Sequence, residues 1–169
     1  MPFAPTNRRH FLAATGLAVA LPALGGCGGP AINVRKQRAF RITKTEAQWR
    51  RQLTRQEYYV LRDAGTERAY TSPLNDEKRT GTFVCAGCGN ELYSSAHKYD
   101  SGTGWPSFWQ AIEEGAVGTS VDYKIGYART EVHCADCGGH LGHIFGDGPR
   151  PTGKRHCING IAMDFVLAA

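Results

Sequence analysis

The stretches TFVCAGCGNELY (residues 82–93) and RTEVHCADCGGHLGHIF (residues 129–145) decide the fold. Each sets a Cys-x-x-Cys-Gly turn inside a β-favouring run, Cys85 and Cys88 before Gly89, then Cys134 and Cys137 before Gly138. Such a turn aims two thiolates at one point, and two turns supply the tetrahedral four-sulfur set that zinc prefers. Four protein ligands leave no open coordination position, so one structural ion that pins two distant segments is the expected cofactor. The 45 residues between Cys88 and Cys134 exceed a zinc-ribbon spacing and must contain more than a hairpin. Disulfides are the competing reading, and an extracytoplasmic location would favour them.

Working outward, TSVDYKIGY (119–127) and KRHCINGIAMDF (154–165) are further short β-favouring runs punctuated by glycine and Asp or Asn. Mostly antiparallel strands with tight turns are expected beyond Pro73. Ahead of them, TEAQWRRQL (45–53) pairs Thr45 with Gln48 in a capping-box pattern, and TRQEYYVLRDAG (54–65) offers a second start at Thr54 with Gly65 as stop. Two short N-terminal helices follow from that. The fold class is therefore mainly β, with a four-cysteine, zinc-ribbon-like site.

The N-terminus reads as an address. TNRRHFLAATGLAVALPALGGCGG (6–29) carries a twin arginine at Arg8 and Arg9 and an apolar run from Phe11 to Leu24, interrupted by Gly16 and Pro22. That run is short for a membrane-spanning helix of ~20 residues. The twin arginine resembles a bacterial export signal, and Leu24 to Cys27 resembles a lipobox whose cysteine becomes lipidated. The expected organisation is an export signal over 1–26, a lipidated tether over 27–43 and a catalytic domain over 44–169. The expected location is the periplasm, on a membrane held through Cys27. An uncleaved anchor, or an ordinary cleaved signal, is the alternative.

A chain of 169 residues fits one such domain, and 41% hydrophobic with 21% charged residues excludes pervasive disorder. The formal charge of +5 includes Arg8 and Arg9, and eight Lys or Arg lie between Arg35 and Arg55. A lipid surface and a nucleic-acid contact are equal candidates for that arm, and a solvated face accounts for it better than either.

Six cysteines minus four in the knuckles and one in the lipobox leave Cys157, in RHCING (155–160). A lone cysteine is either a small buried hydrophobe or a nucleophile. Arg155 and His156 precede it, and cationic neighbours favour the thiolate, although in a strand His156 would point to the opposite face. His140 and His143, in GGHLGHIF, could supply a general acid, further metal ligands or packed core groups. Trp105, in YDSGTGWPSFW (99–109), could line an apolar pocket or a core.

Together the two knuckles, SGTGWPSF (101–108), HLGHIF (140–145), DGPRPTGKRHCIN (147–159) and MDF (163–165) resemble the methionine-R-sulfoxide reductases (methionine sulfoxide reductase B) from about Trp49 to Phe165. The resemblance implies two packed antiparallel sheets with peripheral helices, and reduction of one sulfoxide epimer. It implies Cys157 as nucleophile, His143 as proton donor, Asn159 as a supporting catalytic group, and Trp105, His140 and Phe145 around the substrate. Thr103 stands where many members carry a recycling cysteine, Gly146 where proline is usual, His156 where Tyr or Phe is common, and Gly160 where serine is common. An external thiol, a thioredoxin-like protein, is therefore the expected reductant of a Cys157 sulfenic acid. The other expected partners are oxidised proteins or peptides, with no nucleic acid and a monomeric chain. A zinc-ribbon binding module would not need Cys157 or an export signal, and a chaperone-like or lyase relative would lack the GWPSF and RHCIN pairing.

Overall fold

A computed structural model describes residues 40–169. The expected export signal, the expected lipidation site at Cys27 and nearly all of the expected tether lie outside the described residues. Two helices open the described chain, α1 (Glu46–Gln52) and α2 (Arg55–Leu61), and both begin with a complete capping box, Thr45 with Gln48 and Thr54 with Glu57. The reciprocal bonds satisfy amide donors that a helix start leaves orphaned. Contrary to the expected stop at Gly65, α2 ends at Leu61. Its next residues turn through Ala64 at φ 49°, and the Gly65 N–H bonds back to the Tyr59 carbonyl. Among the described residues no helix is long and apolar enough to cross a membrane.

Nine strands follow: β1 (Gly81–Cys85), β2 (Glu91–Ser94), β3 (Lys98–Tyr99), β4 (Ser107–Phe108), β5 (Val117–Asp122), β6 (Arg129–Cys134), β7 (His140–Phe145), β8 (Arg155–Ile158) and β9 (Met163–Leu167). They form a three-stranded sheet in the order β2-β1-β9 and a six-stranded sheet in the order β3-β4-β8-β7-β6-β5, with every pairing antiparallel. The mainly β reading with two antiparallel sheets and two short helices is what the structure shows. A bulge opposite Phe83 and Val84 lets the consecutive residues Leu92 and Tyr93 both turn inward, and both are fully buried.

The core gathers Trp49, Tyr58, Val60 and Leu61 from the helices with Phe83, Leu92, Tyr93, Phe108, Val132, Leu141 and Ile158 from the sheets. Tyr93 stacks on Phe108 and Phe83 meets Phe108 edge-on, which locks the two sheets at their centre. Directly opposed residues share a sheet face, so the register of the six-stranded sheet fixes two rows. One row, Phe108–His156–Ile144, turns toward the core. The other, Tyr99–Ser107–Cys157–His143–Glu131–Ser120, lies on the opposite face and collects the sheet's reactive side chains.

Candidate active site and metal centre

Each knuckle is a hairpin turn. Cys85 ends β1 and Cys88 sits in the turn to β2, while Cys134 ends β6 and Cys137 sits in the turn to β7. Gly89 (φ 75°) and Gly138 (φ 68°) take the left-handed conformation that closes each turn, and their N–H groups bond back to the Cys85 and Cys134 carbonyls at 2.7 and 2.9 Å. At Gly138 a side chain is excluded twice, since a Cβ there would lie 2.3 Å from the Phe40 ring.

The four sulfurs lie within 4.8 Å of one another and none is in a disulfide. Cys85 and Cys137 Sγ are 3.8 Å apart, Cys88 and Cys134 Sγ 3.5 Å. Metal–sulfur bonds of ~2.3 Å directed to the corners of a tetrahedron require sulfurs ~3.8 Å apart, so the set fits a metal ion. The helices brace both turns: Gln52 donates to the Gly87 carbonyl at 2.7 Å and Arg62 to the Cys137 carbonyl at 3.0 Å. Residues 40–43 dock here as well, with the Ile42 N–H on the Asp136 carbonyl.

On the outer face of the large sheet, a cavity of about 120 Å³ is lined by Thr66, Trp105, Arg129, Gly142, His143, Phe145, Cys157 and Asn159. Five of the residues expected at the site, Cys157, His143, Asn159, Trp105 and Phe145, thus meet in one place. The larger cavity of about 670 Å³ between α2 and the Ser72–Leu74 turn contains none of them.

Burial pushes the Cys157 thiol above its ordinary range, against the opposing pull of the Thr103 hydroxyl, 3.9 Å from Sγ, and of the Arg155 guanidinium. Ser101 hydrogen-bonds both Thr103 and Ser107 (2.8 and 2.7 Å) and fixes that hydroxyl. Arg155 binds Asp147 through two bonds of 2.9 Å and lies 4.5 Å over the Phe145 ring. Of the two cationic neighbours in sequence, only Arg155 shares the face of Cys157, as strand alternation predicts. His156 points to the core face, faces the Tyr93 hydroxyl at 3.1 Å, and is held neutral by burial, its pKa pulled down to about 4. Desolvation outweighs both Arg155 and the Thr103 hydroxyl at the sulfur.

His143 faces Cys157 across β7 and β8. Its Nε2 is 2.8 Å from Asp122 Oδ2, and because a carboxylate only accepts, Nε2 carries the hydrogen and Nδ1 is left to exchange a proton. Asp122 also binds Arg129 at 2.5 Å. Burial outweighs the carboxylate and lowers the His143 pKa, so this is a neutral N–H to carboxylate bond rather than an ion pair.

His140 stands behind His143, outside the cavity lining, with the rings 5.4 Å apart. In a regular strand two residues three apart face opposite ways. Here His133 pairs His140 while Val132 pairs Gly142, so Leu141 is an extra residue that restores the two imidazoles to one side. His140 Nδ1 bonds Glu131 at 2.7 Å, which holds that carboxyl down to about 2, and Ser120 donates to the same carboxylate at 2.5 Å.

Three contributors escaped the reading of motifs. Arg129 and Asp122 sit at the mouths of facing strands, where a period-two reading of RTEVHC and TSVD would have placed them beside Glu131 and Ser120. Glu67, in the loop after α2, had no such signal. Its carbonyl accepts from Trp105 Nε1 at 3.2 Å and its N–H donates to Asn159 Oδ1 at 2.9 Å. Its carboxylate accepts from the N–H groups of Gly160 and Ile161, the latter at 3.1 Å. Asn159 is in turn fixed by donation to the Leu141 carbonyl at 2.8 Å.

Comparison with known proteins agrees with this geometry. Residues 53–167 match the SelR domain. The peptide methionine sulfoxide reductase MsrB of Leifsonia xyli subsp. xyli is 52% identical over 127 residues, which is 75% of this chain and 91% of that protein. The MsrB of Leptospira interrogans is 48% identical over 126 residues (75% and 96%), and that of Agrobacterium fabrum 48% over 125 residues (74% and 93%). A shared domain across the whole strand-rich region, with the cavity and the four-cysteine cluster inside it, places the chain in the peptide methionine sulfoxide reductase MsrB family.

Proposed function

We propose that this protein reduces methionine-R-sulfoxide in oxidised proteins or peptides to methionine, with Cys157 as nucleophile. The observation that carries the reading is the single cavity in which the Cys157 sulfur, the Trp105 indole, Phe145 and His143 converge. Trp105 and Phe145 offer the apolar wall a methyl group needs, and His143 offers the exchangeable proton a sulfoxide oxygen needs in order to leave.

The electrostatics suit a proton that is already in the site. A raised thiol beside a lowered imidazole rests as a neutral pair. As Cys157 attacks the sulfoxide sulfur, its proton passes to His143 Nδ1 and from there to the sulfoxide oxygen. The oxygen then moves as hydroxyl to the Cys157 sulfur, the S–O bond to methionine and the transient S–S bond breaking as the new S–O bond forms. Methionine sulfur gains two electrons, Cys157 sulfur loses two, oxygen ends on Cys157 as sulfenic acid, and no net proton is consumed. General acid–base help of this kind contributes ~10²–10⁴ in rate. Asp122 fixes the tautomer and orientation of His143, and Glu67 and Asn159 hold the indole and the strand end against the sulfur.

Recycling follows from the thiol inventory. Thr103 is 3.9 Å from Cys157 Sγ where a resolving cysteine would be useful, and the remaining thiols of the catalytic domain belong to the knuckles. An external dithiol, of thioredoxin-like chemistry, condenses with the sulfenic acid to release water and then resolves the mixed disulfide. The ion in the four-sulfur set is zinc, which holds structure only. The twin arginine and Cys27 direct a monomeric, lipid-anchored enzyme to the periplasm, and no nucleic acid is involved.

The test offers each sulfoxide epimer separately, with dithiothreitol, to the wild type and to Cys157→Ser. Turnover of the R form by the wild type alone, with a dimedone-reactive Cys157 after a single turnover, supports the proposal. Turnover of the S form instead, or activity retained in the serine variant, overturns it.

A further inference from the structure

Eight large apolar side chains among the described residues are at least half exposed, and four of them fall in one seven-residue stretch: Val121 (60%), Tyr123 (67%), Ile125 (51%) and Tyr127 (61%). A soluble chain rarely concentrates exposed apolar groups in this way unless the patch meets something. This stretch forms the end of the β5–β6 hairpin. Its two base residues are site residues, since Asp122 holds His143 and Arg129 lines the cavity.

The loop is held in shape before any partner arrives. The Lys124 N–H bonds Asp122 Oδ1 at 2.7 Å, the Gly126 N–H bonds the Tyr123 carbonyl at 3.0 Å, and Lys124 Nζ donates to the Ala64 carbonyl at 3.0 Å. That last bond ties the hairpin to the turn leading into Thr66, another cavity-lining residue. The hairpin and the turn thus make one stretch of rim, and a fixed rim binds with little ordering cost.

We propose that Tyr123, Ile125 and Tyr127 are a docking surface for the polypeptide on either side of the oxidised methionine, selecting substrates with apolar neighbours. The inference rests on the proposed function and names its substrate class more narrowly. The partner is set by continuity: the hairpin supplies Arg129 to the cavity wall and Asp122 to His143, so a chain that delivers a side chain to Cys157 lies beside this rim. Tyr127 lies two residues from the cavity-lining Arg129 and Tyr123 directly follows Asp122, so the three apolar side chains stand on the turn that closes the hairpin beside the cavity wall. An extended substrate therefore meets them with the side chains that flank the sulfoxide. Polar side chains flanking the sulfoxide would gain no apolar contact from these three residues, whereas apolar ones would leave water for them.

The experiment compares a capped methionine-R-sulfoxide amide with two heptapeptides, one flanked by Leu and Phe and one by Ser and Gly, on the wild type and on Tyr123→Ser/Ile125→Ser/Tyr127→Ser. The expected result is a wild-type kcat/KM about tenfold higher for the apolar-flanked peptide, falling to within about twofold in the triple variant. The capped amide should be reduced equally by both proteins, which also shows that the variant's site is intact. No preference in the wild type, a preference retained in the variant, or an equal loss on all three substrates overturns the docking surface. Wild-type self-association that the variant lacks would assign the patch to a second copy of the chain and overturn it too. Failure of the wild type on every substrate, the capped amide included, would instead strike at the proposed function.

Discussion

His156 gives a prediction whose size can be worked out. It is buried on the core face of β8, one residue from Cys157, and its pKa falls from an ordinary 6.5 to about 4 because burial penalises the imidazolium. Below pH 6.5 the unfolded chain takes up this proton and the folded chain does not. The unfolded state then binds more protons, so stability falls as pH drops through the window from 6.5 to about 4 and is fully present above it. The whole shift corresponds to about 3 kcal/mol, of which about 2 kcal/mol is lost by about pH 4.5. His143, also lowered, acts in the same direction. The carboxyls of Glu77 and Glu131, held at about 2, lose their stabilisation only at lower pH. The perturbation is the double variant Tyr93→Phe/His156→Phe, which removes both members of the 3.1 Å hydrogen bond so that neither is left buried and unpaired. Urea titrations near pH 7 and pH 4.5 should show the wild type losing about 2 kcal/mol more than the variant over that interval. Equal losses would refute the reasoning, because some other group would then carry the acid sensitivity.

Three further outcomes are expected. Thr103→Val or Arg155→Met removes a group that favours the Cys157 thiolate, so the midpoint of iodoacetamide alkylation against pH should move up in each variant, and an unmoved midpoint in both would refute the assignment. Glu67→Gln turns an amide N–H toward the backbone N–H of Gly160 or Ile161, leaving one of them mispaired at a cost of about 1–3 kcal/mol. Its kcat/KM should fall about tenfold with a changed Trp105 fluorescence, and unchanged kinetics would remove Glu67 from the positioning role. Elemental analysis should find one zinc per chain in the wild type and none in Cys88→Ser, whose cooperative thermal transition should be lost; a metal-free wild type that still melts cooperatively would refute the structural role.

What was legible in the sequence was short-range. The knuckles depend on Cys-x-x-Cys-Gly spacing and the helix starts on Thr-x-x-Gln and Thr-x-x-Glu, and each is decided within a few residues. Cys157 emerged from elimination and from the family motifs around it. The row Tyr99–Ser107–Cys157–His143–Glu131–Ser120 is different in kind, because it depends on the register of six strands drawn from residues 98 to 158. No local pattern encodes that. Glu67 was invisible for the same reason, since its partners, Trp105, Asn159, Gly160 and Ile161, lie 38 to 94 residues away. His156 was legible for the opposite reason: strand alternation alone turns it away from Cys157 to the core face, where the structure has it.

The bulge at Leu141 links the structural and chemical halves of the domain. The turn that carries Cys134 and Cys137 is also the turn between β6 and β7, with the Cys134 N–H on the Gly139 carbonyl at 2.9 Å immediately before His140. Any slip of that turn by one residue would exchange the faces of β7 and carry His143 away from Cys157 and Asp122. An ion bound by the four sulfurs would fix the turn against a partner on the other sheet, where Cys85 and Cys88 sit. The distance from sulfur to imidazole is thereby set by the register of a hairpin, and the register by the knuckle that closes it.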